Sequence, residues 1–114
     1  MAYQNAVLED EELQRGFSSI NPKYADLVTR VAGEVWGLPL IDQKTKALIA
    51  IAVDVANQAN AGAGDPFRAH VKMAIKQGTT RAELEELLLF MCAYAGFNKA
   101  VVCFGLLNEI LGPA

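Results

Sequence analysis

An all-α bundle of five or six helices is what this sequence predicts, and three observations carry that expectation. Helix caps followed by proline, and breaks bearing glycine, divide the chain at helix-length intervals. Alanine and leucine, both strong helix formers, dominate the segments between the breaks. No Asn-Gly or Asp-Gly turn joins two period-2 segments, so no strand hairpin competes.

The elements follow in chain order. A short first helix is expected around Leu8–Phe17. Asn21-Pro22 is an N-cap followed by a first-position proline, opening a helix to about Trp36 that Gly37-Leu38-Pro39 ends. Asp42 caps the next helix, which runs to about Asn57. Gly62-Ala63-Gly64 is a flexible break, after which Asp65-Pro66 repeats the cap logic and Gly78 stops the helix. Thr80 and Glu83 have capping-box spacing. Gly96 interrupts the following apolar run, Asn98 offers another cap, and Gly112-Pro113 ends the last helix.

Composition excludes several classes. At 114 residues the prior is one domain spanning 1–114. Hydrophobic residues at 53% and charged residues at 20% exclude a disordered chain. A net charge of −3 argues against nucleic acid as a partner. Met1–Asp10 has neither a basic n-region nor an apolar h-region, so no signal peptide is expected. Leu87–Leu107, the nearest approach to a membrane span, is broken by Asn98-Lys99. The expected setting is soluble, reducing and cytoplasmic, with no membrane partner.

Three segments are apolar on every side: Ala47–Val53, Leu87–Phe97 and Ala100–Leu107. A helix without a polar face must be covered on all faces. A chain this small cannot cover three of them. A homo-oligomer is therefore expected, another copy being the simplest cover.

Few residues carry chemistry. His70 is the only histidine, near the start of the helix after the glycine-rich break. It is the one side chain that titrates near neutrality unperturbed, which makes it a candidate acid/base. Asp54 is the only charge of its helix beyond Lys46; it fits either a structural ion pair across an interface or an acid/base in a pocket. Lys44, Lys46 and Arg68 are candidate carboxylate anchors, and Glu34, Trp36 and Tyr94 candidate pocket residues. Each also has a plain reading as a solvated or packing side chain. Cys92 and Cys103 lie eleven residues apart in apolar surroundings and read as small hydrophobes. No metal-ligand cluster or phosphate loop is present in the sequence, and no metal or cofactor is expected.

The order of motifs resembles a known family. Trp36-Gly37 followed by Leu40–Ala52, then His70–Glu86, then Tyr94-Ala95-Gly96-Phe97-Asn98-Lys99-Ala100 are similar to successive segments of the carboxymuconolactone decarboxylase-like family. The resemblance is strongest over 33–109. It implies an all-α fold of the alkyl-hydroperoxidase D-like type, with protomers interlocked as trimers or hexamers. It also implies one of two chemistries: decarboxylation of a carboxylated lactone, or a thiol peroxidase reaction.

The peroxidase branch carries Cys-x-x-Cys, a His four residues later and a Glu in the preceding helix. Here His70 matches, but the two cysteine positions fall on Ala63 and Pro66, or on Ala59 and Gly62, and the Glu position is Ala47. The resemblance therefore favours the lyase branch, which lacks Cys-x-x-Cys and keeps the His. It implies a cofactor-free decarboxylase or related lyase acting on a small organic acid or lactone. His70 would be the acid/base, with Trp36, Lys46, Arg68, Tyr94 and Glu34 around the substrate. The alternative is a non-enzymatic oligomeric protein that binds a small ligand or assists an enzyme. A thiol peroxidase using Cys92 or Cys103 is a third reading. The Asn60–Asp65 insertion is expected beside the mouth of the pocket.

Overall fold

The computed structural model describes residues 2–114, and among them it contains six α-helices and no strand. They are α1 (Glu11–Ile20), α2 (Pro22–Trp36), α3 (Gln43–Asn57), α4 (Pro66–Lys76), α5 (Arg81–Tyr94) and α6 (Phe97–Leu111). Side-chain caps set most of the starts. Asn21 accepts from the Tyr24 N–H, Asp42 from Thr45, and Asp65 from Arg68. Thr80 and Glu83 form the reciprocal capping box at α5.

The first helix, which also runs on to Ile20 instead of Phe17, and the start of the last differ from the sequence expectation. The first helix starts at Glu11 because Asp10, not an earlier residue, accepts the Leu13 N–H. The residues ahead of it form a turn held by the Asn5 side chain, which accepts from Val7 and Leu8. At α6, Gly96 rather than Asn98 occupies the cap position, with φ of 108° and no side-chain bond. A positive φ suits glycine, so the break itself is the helix start.

Successive helices pack as three hairpins, α1 with α2, α3 with α4 and α5 with α6. α3 also packs on α5 and α6, which makes it the central element. Its inward stripe is Ala47, Ile51, Asp54 and Val55, a helical spacing of four, three and one. Phe67, Val71 and Ala74 of α4, Leu84 and Leu88 of α5, and Ala100, Cys103 and Leu107 of α6 complete the core.

The α1–α2 hairpin is attached differently. α1 buries no residue and α2 only Ala25 and Gly33. A small cluster of Ala6, Val7 and Met73, with Leu13, Ala32 and Trp36 against it, joins the hairpin to the bundle. The Lys76 ammonium on α4 adds bonds to both Asp10 carboxylate oxygens, at 3.0 and 2.9 Å, and to Glu12 at 2.9 Å.

The apolar helices are not covered on every side within one chain. Ile49 and Val53 on α3, Leu89 and Phe90 on α5, and Val101 and Val102 on α6 are exposed. No helix among the described residues is long and apolar enough to cross a membrane.

Candidate functional site

Asp54 and His70 meet at the α3–α4 hairpin. Asp54 sits three residues before the end of α3, and His70 four residues after the first of α4. In an antiparallel hairpin, residues at similar distances from the joining loop lie near one level. Asp54 belongs to the buried stripe of α3, and His70 lies beside Phe67 and Val71 of the α4 stripe. Their side chains therefore turn toward each other, and His70 Nδ1 hydrogen-bonds Asp54 Oδ2. The carboxylate side chain is 7% exposed and the imidazole 27%. Asp54 is thus held inside, while part of the His70 ring reaches solvent.

The surroundings of the pair are fixed by α6 and by the loop after α3. The Asn60 amide lies 4.0 Å from Cys103 Sγ, and the thiol points at the Lys99 carbonyl at 3.6 Å. Burial pushes the Cys103 thiol above the ordinary cysteine range, against the Asn60 hydrogen bond, and the charges of Asp54 and Asp65 push it the same way. Such a thiol is a poor source of thiolate. Lys99 reaches back to donate to the Ala56 carbonyl at 2.9 Å, satisfying the end of α3.

The other residues singled out from the sequence occupy separate places. Lys46 Nζ donates to the backbone carbonyls of Trp36, at 2.8 Å, and Leu38, so its ammonium holds the end of α2. Trp36 is half-buried between the two clusters. Lys44 is paired with Glu83 at 2.8 Å. Glu34 is exposed on α2. Tyr94 is 76% exposed and stacks on Phe90, their ring centroids 4.8 Å apart.

Arg68 lies 3.4 Å from Glu109 and 3.8 Å from Asp65. It lines an open cleft of about 1000 Å³ between α1, α4 and the Asn60–Asp65 loop. Phe17, Ile20 and Met73 supply apolar walls there, and Lys72 a further ammonium. At one end Gly64, with φ of 72°, sits so near Ile20 that an added Cβ would come within 2.8 Å of its Cδ1. His70 and Trp36 are not among the lining residues. For His70 this follows from helix geometry, since it lies two residues from Arg68 and so points about 200° away from it.

Sequence reasoning weighed Asp54 and His70 separately and left Asp54 with a partner across an interface as one option. The structure supplies the partner within the chain. The signal was present in their nearness to the loop that joins α3 to α4 and in their places on two facing stripes.

The profile of the carboxymuconolactone decarboxylase family matches residues 22–109. The chain belongs to that family. A 4-carboxymuconolactone decarboxylase from Acinetobacter baylyi (strain ATCC 33305 / BD413 / ADP1) is 30% identical over 108 residues, covering 91% of this chain and 78% of that protein. No solved structure matches the chain.

Proposed function

We propose that this protein is a cofactor-free decarboxylase of a small carboxylated lactone or related organic acid, with His70 as its acid/base and a homo-oligomer, trimer or hexamer, as its working form. One observation carries the reading: in a chain of the decarboxylase family, the sole histidine is held by a buried carboxylate with part of its ring open. The name of the 30% identical relative supports the substrate class.

Such a reaction breaks the bond between the substrate's carboxylate carbon and its ring. Carbon dioxide leaves, and the electron pair stays on carbon, delocalised into the lactone carbonyl. A proton then closes the balance at carbon. His70 delivers it from Nε2 and regains one from water. A positioned acid or base of this kind contributes roughly 10²–10⁴-fold. Arg68, Lys46, Trp36, Tyr94 and Glu34 remain candidates for holding the substrate in the assembled protein.

The test is carbon dioxide release from carboxymuconolactone by the purified protein and by His70→Asn. The Asn amide nitrogen takes the place of Nδ1 and keeps a donor for Asp54, but nothing replaces Nε2. We expect release by the wild type and a loss of about 10²-fold or more in the variant. An inert wild type, or a fully active variant, would remove His70 from the chemistry.

A second reading is favoured by the α1–α4 cleft, which is large, partly apolar and away from His70. There the protein binds a small ligand without transforming it. Ligand binding that is lost on filling the cleft with Ala69→Trp, and unaffected by His70→Asn, would select that reading.

A further inference from the structure

We propose that Asp54 is the positioning residue of His70, fixing the ring so that every proton it exchanges passes through Nε2. This rests on the reading of His70 as the proton-transfer group and adds to it a direction and a tautomer.

A neutral imidazole has two tautomers, and the one present is set by the bond its other nitrogen makes. His70 Nδ1 is hydrogen-bonded to Asp54 Oδ2, and an ionised carboxylate only accepts, so beside it the hydrogen stays on Nδ1 in the neutral ring and in the charged one. The nitrogen that gains and loses a proton is then Nε2. The carboxylate is well placed to impose this. It is 7% exposed, on a central helix, and flanked on its own stripe by Ile51 and Val55, which offer no competing donor. Among the described residues, the only hydrogen-bond partner of its side chain is His70. A buried carboxylate that lost this partner would be left without compensation, so the pairing holds the ring's rotation as well as its tautomer.

The spacing also explains why a carboxylate sits there at all. Asp54 occupies a position whose helical neighbours, Ile51 and Val55, are apolar core residues, where a charge is costly unless paired. An apolar residue at 54 would leave His70 Nδ1 without this partner. Pairing with His70 offsets that cost and holds the ring, as carboxylates do for the histidines that bind metals.

The experiment uses the intact oligomer and its single histidine. Long-range ¹⁵N–¹H correlation of the His70 ring, with the ring neutral, is expected to show Nδ1 protonated and Nε2 bearing the lone pair. The opposite tautomer, or an average of the two, overturns the proposal, and this measurement needs no variant to fold. In Asp54→Asn the fixed tautomer should give way to a mixture, and kcat for carbon dioxide release should fall about ten- to hundredfold with KM within about twofold. A lost tautomer with unchanged kcat overturns the positioning role. An active His70→Asn protein overturns the acid/base reading itself, independently of what the ring spectrum shows.

Discussion

Asp54 and His70 also have a folding role that is separable from any catalysis. Removing the imidazole altogether, as in His70→Ala, leaves a nearly buried carboxylate without its donor. A buried acceptor stranded in this way costs about 1–3 kcal/mol. His70→Asn keeps a donor near the Nδ1 position and should cost less than half as much. Urea unfolding of the two variants checks this, and equal losses would mean that the hydrogen bond contributes little. Cys103 makes a second residue-scale case. Its side chain is fully buried and its thiol is pushed up by that burial. It should resist alkylation in the folded protein and react promptly once urea unfolds it. Fast native labelling assigned to Cys103 by mass spectrometry would contradict this placement.

At the scale of elements, the starts of the helices were the most legible part of the sequence. Asn21, Asp42, Asp65 and Thr80 each do in the structure what their residue type and the following residues imply. Thr80→Ala should therefore destabilise the protein by about 0.5–2 kcal/mol, read from thermal or urea unfolding. Less legible were segments that a side chain holds outside any helix, as Asn5 holds the turn ahead of α1. The pairing of Asp54 with His70 was legible only in part, because it requires the α3–α4 hairpin and not either helix alone. Caps and ties between elements also set the acid response. Hydrogen bonds from Lys76 hold Glu12 below the ordinary glutamate value, those from Lys44 do the same for Glu83, and bonds from Thr45 lower Asp42. A lowered carboxyl stabilises the fold fully above its unfolded value, and that contribution is lost as the pH falls through the folded one. Thermal stability should therefore decline below about pH 4.5, the ordinary glutamate value. A midpoint unchanged down to pH 3 would show that these exposed pairs contribute nothing.

At the scale of the whole molecule, the distribution of apolar surface is the observation that one chain leaves unresolved. Sequence reasoning located surplus apolar faces on three helices, and the structure adds a fourth. Tyr24, Leu27, Val31 and Val35 of α2 are exposed at spacings of three, four and four, a continuous stripe along the helix. That stripe escaped notice in the sequence because Lys23, Asp26, Arg30 and Glu34 are interleaved with it, so the segment reads as an ordinary amphipathic helix. Its apolar side faces out because α1 and α2 bury almost nothing against the bundle. A hairpin with so little burial gains little from tertiary packing, which is the main source of helix stability in folded proteins. Large contiguous apolar patches are uncommon on monomers and mark contact surfaces. The prediction is that the wild-type protein scatters light as a species several times 12.3 kDa at micromolar concentration. Val31→Glu places a charge in the middle of the α2 stripe without touching the α3–α6 core, and it should shift that species toward 12.3 kDa while the helical circular dichroism is largely retained. A wild-type protein that runs only at 12.3 kDa would mean that the exposed faces stay in water and that the hairpin is held by the Lys76 bonds to Asp10 and Glu12 and by the small cluster around Met73.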